Sequence, residues 1–146
     1  MAPASRRYDP EPGTTPRQSA VLLPLYTVAD TIHIVMIKRR EYHNHHAGEI
    51  SFPGGAVEPQ DSDNIAAALR EAHEELGIPP ESVEVLGMLT PLYIEPSHNM
   101  VQPVVGWLNA LPDFKPQPTE VAQIFQTPLK HFMRGETLRW QNLRHN

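Results

Sequence analysis

Residues Phe52 to Ile78 read FPGGAVEPQDSDNIAAALREAHEELGI, and this stretch decides how the rest of the chain is read. It opens on a Pro-Gly-Gly turn, passes through a short acidic loop and enters a helix dense in carboxylates. The apolar positions Ile65, Ala68, Leu69, Ala72 and Leu76 fall at helical spacing, which predicts a helix over about Asn64 to Leu76. Asp61, Ser62 or Asp63 can cap its start, Gly77 suits its end, and Pro79-Pro80 forbid continuation. Opposite the apolar face, Glu71, Glu74 and Glu75 stand at i, i+3 and i+4. Like charges so placed repel and weaken an isolated helix, so the cluster points to a bound cation. Oxygen-only ligands favour Mg²⁺ or Mn²⁺.

The flanks are scaffold. Residues 1–17, rich in Pro, Gly, Ser, Thr and charge, are expected to form a flexible tail, and residues 18–146 the domain. Val21 to Tyr26 predict a strand, placed at a sheet edge because it contains Pro24. Ile32 to Ile37 predict a buried strand, ending at Lys38, Arg39 and Arg40. The loop from Glu41 to Gly48 carries His43, His45 and His46 without the i, i+4 register of two-histidine metal motifs, and is read as solvated. Glu49 to Phe52 predict a short strand leading into the glycines. Further strands are expected over Val83 to Met88, toward Leu92 to Ile94, and over Met100 to Leu108, where Pro103 marks an edge or bulge. Thr119-Glu120 are expected to open a helical turn through Val121, Ile124 and Phe125, with another over Pro128 to Met133. Strands and helices mix without regular alternation, which predicts an α+β fold.

Composition narrows the function. The chain has 146 residues, 40% hydrophobic and 20% charged, enough for one domain with a real core. Its formal net charge is −5 and it has no basic tract, which speaks against duplex nucleic acid or an anionic membrane surface as partner. With no cysteine, disulfides, thiolate metal sites and thiol nucleophiles are excluded together. No apolar run approaches the roughly 18 residues of a membrane span. A cytoplasmic setting is compatible with all of this.

At Arg70 the helix reads REAHEELGI, which resembles the Nudix signature core R-E-U-x-E-E-x-G-U, with U aliphatic; Gly55 supplies the glycine that starts that box. The resemblance implies a Nudix-type α/β/α sandwich with a mixed central sheet and a pyrophosphohydrolase activity on nucleoside diphosphates linked to another moiety. It implies a divalent cation, Mg²⁺ or Mn²⁺, held by Glu71, Glu74, Glu75 and the Gly54 carbonyl. The general base is then Glu74, Glu75 or Glu120. One departure concerns the box acid. Gly55 is followed after five residues by Asp61, and eight residues separate Asp61 from Arg70, so the loop is one residue longer and the carboxylate one methylene shorter than in the common pattern. The feature at stake is the Asp61–Arg70 pairing.

Outside the box the chain is similar to the coenzyme A pyrophosphatase branch. Met36 to Arg40 and Gly48 to Gly55 stand where that branch carries LLTxR and GxxxFPGG, with Asn44 in place of an arginine. The branch implies coenzyme A or an acyl-CoA as substrate, with Gly48, Phe52 and Gly54 as substrate-side positions; Arg39 and Arg40, at a strand end, are candidate phosphate clamps because guanidinium offers a planar fork. ADP-ribose, a nucleoside triphosphate, or a non-catalytic nucleotide sensor are the alternatives. The family also implies a homodimer, and the chain stops near where the family adds closing elements.

Overall fold

The computed structural model describes residues 8–40 and 48–133. The tri-histidine loop and Asn44 therefore lie outside the described residues, apart from Gly48. The elements are β1 (Arg17–Val28), β2 (Thr31–Arg39), β3 (Ile50–Ser51), β4 (Gly54–Ala56), α1 (Asn64–Leu76), β5 (Val83–Met88), β6 (Leu92–Ile94), β7 (Asn99–Leu108), β8 (Val121–Pro128) and α2 (Lys130–Met133). The strands join in one eight-stranded mixed sheet. β1 runs parallel to β7, and the other pairings are antiparallel. The fold is α+β, as expected.

Pro24 does not mark an edge. β1 lies inside the sheet, with β7 along one side and, on the other, β4 at Ser19 to Val21 followed by β2 at Leu25 to Val28. Backbone N–H groups alternate sides along a strand. The Leu22 N–H reaches the Pro53 carbonyl at 2.8 Å on the β4 side, so the nitrogen of Pro24 faces the gap where β4 hands over to β2. The missing donor falls where no ladder bond is needed. Pro103 repeats the arrangement in β7. β6 pairs up to Val101 and β5 resumes at Val104, with the Pro103 carbonyl taking the Leu89 N–H at 3.0 Å.

β8 replaces the helical turn expected at Val121. β2 has a long edge whose donors and acceptors need partners, and β8 pairs with it from His33 to Arg39. The glycine pair is also strand rather than turn. Gly54 and Gly55 pair with Val21 and Ala20, and neither has positive φ. They serve close approach: a Cβ on Gly54 would lie 2.4 Å from the Ala20 carbonyl oxygen.

α1 packs on one sheet face. Ala67, Ala68, Ala72 and Leu76 are buried with Ala20, Leu22, Tyr26, Val35, Ile37, Ile78, Val104, Leu108 and Val121. Ile65 and Leu69 pack at the margin. Asp63 caps the helix by accepting from the Ala66 N–H at 2.7 Å, and Gly77 closes it in the left-handed region at φ 69°. Among the described residues no helix is long and apolar enough to cross a membrane.

Candidate active site

The site forms where α1, β4 and the end of β2 meet. Helical spacing would send all three glutamates to solvent, but the structure divides them. Glu74 is 55% exposed, Glu71 is mostly covered, and Glu75 is fully buried. Burial is the larger influence on Glu75 and raises its pKa to about 7. Arg39 and the Gly54 N–H pull the other way, and the charge of Glu71 adds to the rise. Glu75 Oε1 accepts from the Gly54 N–H at 2.8 Å, and Oε2 accepts from Arg39 Nη1 at 3.0 Å. Arg39 Nη2 donates to the Gly54 carbonyl, also at 3.0 Å. The end of β2, the glycine strand and the helix are thus tied through one guanidinium.

Arg70 makes the second tie. It holds Asp61 with two bonds, Nε to Oδ1 at 2.9 Å and Nη2 to Oδ2 at 3.0 Å. The shorter acid on the longer loop therefore reaches its arginine. Hydrogen bonds from Arg70 hold the Asp61 carboxyl below the usual range, helped by the Glu58 N–H. Nη2 also donates to the Ala56 carbonyl, while Nη1 faces Glu71 at 3.1 Å and both Glu74 oxygens at 3.3 Å. Gly55 gives the Glu71 carboxylate its room, since a Cβ there would come within 2.7 Å of Oε1. Glu71 is raised above the usual carboxylate range by burial, with Arg70 opposing and the charges of Glu74 and Glu120 reinforcing.

That last influence brings in Glu120, which sits in the turn before β8 and is exposed. Its position comes from the preceding loop. The Lys115 and Gln117 N–H groups, each at 2.8 Å, take the Leu76 and Glu75 carbonyls, two of the orphan acceptors at the end of α1. The loop then docks on β2, where the Arg40 N–H donates to the Glu120 carbonyl at 2.9 Å and Arg40 Nε donates to the Pro118 carbonyl. Sequence reasoning missed the loop's part in capping α1, because backbone acceptors leave no residue-type signal.

The remaining candidates are Arg40, Gly48 and Phe52. Arg40 is exposed and committed to the Pro118 loop. Gly48 turns the chain at φ 75° and donates to the Arg39 carbonyl at 3.1 Å. Phe52 is half-buried beside the β3–β4 bend.

The oxygen donors suit a hard divalent cation. The Glu71 and Glu74 carboxylates converge on one nitrogen of Arg70, and Glu75 and the Gly54 carbonyl on the fork of Arg39, so positive charge already stands among them. Among the described residues no three acidic or histidine side chains form a ready-made metal cage. The arginines would have to yield oxygens to an incoming ion.

The NUDIX domain model matches residues 16–141. The chain belongs to the NUDIX domain family. It is 42% identical over 118 residues to the uncharacterized Nudix hydrolase NudL of Enterobacter sp. (strain 638), covering 81% of this chain and 60% of the relative. It is 45% identical over 113 residues to the NudL protein of Pectobacterium atrosepticum, covering 77% and 58%. The chain thus spans about three fifths of the length of these curated relatives. Among solved structures, a C. elegans Ap4A hydrolase binary complex superposes with a TM-score of 0.68 at 22% identity, over 87% of this chain and 96% of that one. The NUDIX domain of Shewanella oneidensis NrtR, complexed with ADP ribose, gives 0.61 at 16% identity, over 86% and 81%. These two likenesses establish the Nudix sandwich as the fold.

Proposed function

We propose that this NUDIX chain is a divalent-cation-dependent pyrophosphohydrolase of nucleoside diphosphates linked to another moiety, with coenzyme A or an acyl-CoA as the preferred substrate. The observation that carries the hydrolase reading is the convergence of Glu71 and Glu74 on Arg70, with Glu120 close enough to act on the charge of Glu71 and the closely approaching Gly54-Gly55 backbone beside them. Preference for coenzyme A rests on narrower support, the similarity of Met36 to Arg40 and Gly48 to Gly55 to that branch.

Glu71, Glu74, Glu75 and the Gly54 carbonyl would hold Mg²⁺ or Mn²⁺. Such an ion neutralises phosphate oxygens and acidifies bound water. In the overall reaction water adds its oxygen to phosphorus, the bridging P–O bond breaks and two phosphate monoesters leave. A carboxylate must accept the proton of that water. Full burial and two committed oxygens make Glu75 the least available acceptor, which favours exposed Glu74 and Glu120. Arg70, held by Asp61, keeps Glu71 and Glu74 turned toward one point. Arg40, exposed and bonded through its N–H to the Glu120 carbonyl, carries a guanidinium fork that would suit phosphate. A cytoplasmic setting and a homodimer belong to the same proposal.

The deciding experiment offers the purified protein coenzyme A, acetyl-CoA, ADP-ribose and nucleoside triphosphates with Mg²⁺ or Mn²⁺, and resolves the products by chromatography. The expected products are 3′,5′-ADP and phosphopantetheine or its acyl form. Turnover of ADP-ribose with coenzyme A untouched would overturn the substrate assignment. Binding of nucleotide with no turnover of any compound would favour a sensor.

A further inference from the structure

Arg39 ends β2 with its side chain turned into the fold rather than toward solvent. Its two terminal nitrogens each donate at 3.0 Å, one to Glu75 Oε2 and one to the Gly54 carbonyl. These acceptors are two of the oxygens assigned above to the divalent ion. A fully buried carboxylate such as Glu75 needs a counter-charge, and the guanidinium supplies it. Arg70 differs, because its bidentate hold on Asp61 and its bond to Ala56 make it part of the framework. The Arg39 side chain keeps 23% exposure, so it has a path outward.

We propose that Arg39 is a displaceable internal cation. Its fork occupies Glu75 and the Gly54 carbonyl until a divalent ion takes those oxygens, and the released guanidinium then turns to the anionic substrate. This rests on the metal-site reading above. Arg39 is a positioning residue in the ion-free protein and a phosphate contact in the loaded one. The two roles couple ion binding to substrate binding, since the charge that leaves the carboxylate is delivered to the pyrophosphate.

The test compares wild type, Arg39→Gln and Arg39→Lys by Mn²⁺ titration calorimetry and by the Mn²⁺-induced rise in unfolding temperature. Removing the competitor should tighten Mn²⁺ binding by about tenfold, within the usual range of coupling between sites. Arg39→Gln should also gain more unfolding temperature from Mn²⁺ than wild type does, with Arg39→Lys between them. In saturating Mn²⁺, Arg39→Gln should bind inorganic pyrophosphate about tenfold more weakly. If Arg39→Gln is merely less stable, with wild-type Mn²⁺ affinity and the same Mn²⁺-induced rise, Arg39 is only a brace and the proposal falls. Should Arg39→Gln not fold alone, recovery of its structure on adding Mn²⁺ supports the proposal. In that case, no recovery, together with wild-type Mn²⁺ affinity in Arg39→Lys, overturns it. Absence of Mn²⁺ binding by wild type removes the metal-site reading itself, and this inference with it.

Discussion

Gly54 and Gly55 are neighbours of one kind, yet a methyl group added to each meets different matter. At Gly54 it strikes the Ala20 backbone and Val21, so Gly54→Ala must part β4 from β1. At Gly55 it meets the movable end of Glu71, so the fold can yield by turning a carboxylate aside. Gly54→Ala should therefore cost about 2 kcal/mol of stability, a typical overpacking penalty. Gly55→Ala should keep most of its stability while losing Mn²⁺ affinity, and thermal unfolding beside calorimetry checks both. Glu75 gives a pH signature. Burial raises it to about 7, so folding favours its protonated form. Its contribution to stability is complete below its unfolded value, about 4.5, and is lost as pH rises through about 7. Denaturant unfolding of ion-free protein between pH 4.5 and 7 should show that decline, and Glu75→Gln should flatten it. Because glutamine puts an amide against donors from Gly54 or Arg39, the same variant should be less stable by about 1–3 kcal/mol.

The box helix was legible because its signals are local. Apolar spacing, the Asp63 cap and the Gly77 stop all lie within the segment they define. Asp63→Ala should cost about 1 kcal/mol, as loss of a side-chain cap does. What the spacing of the glutamates could not give was their depth. Glu75 shares its face with Glu71 on a helical wheel, and only β2 and β4 closing over it make it buried. Asp61 was legible as the acid that could pair with Arg70, but not whether it would reach, since that depends on the fold of residues 58–62. Its lowered pKa adds stability above its unfolded value, about 3.8, and this is lost as pH falls through the still lower folded value. Asp61→Asn should thus weaken the fold at neutral pH and show a shallower acid limb in its pH–stability curve.

Across the whole molecule, what escaped the sequence is what depends on remote segments. Val121 to Pro128 carries apolar residues that fit a helical turn as readily as a strand, and the open edge of β2 decides between them. The Tyr26 hydroxyl donates to Gln126, linking β1 to β8 over a separation of a hundred residues. Tyr26→Phe should cost about 1 kcal/mol, measurable by denaturant unfolding, with little effect on catalysis. Pro24 misled for an instructive reason: a proline inside a sheet is forbidden only where its neighbour expects a bond, and two short partners in succession leave such a place. That vacancy works as a mechanical stop. The strand carrying the site glycines can slide along β1 only until it reaches a residue with no hydrogen to offer. A slip of one residue would exchange the surroundings of Gly54 and Gly55 and turn the close-packed glycine toward the helix. The hydrogen that Pro24 lacks thus bounds, about thirty residues before the Nudix box begins, how far β4 can travel along β1.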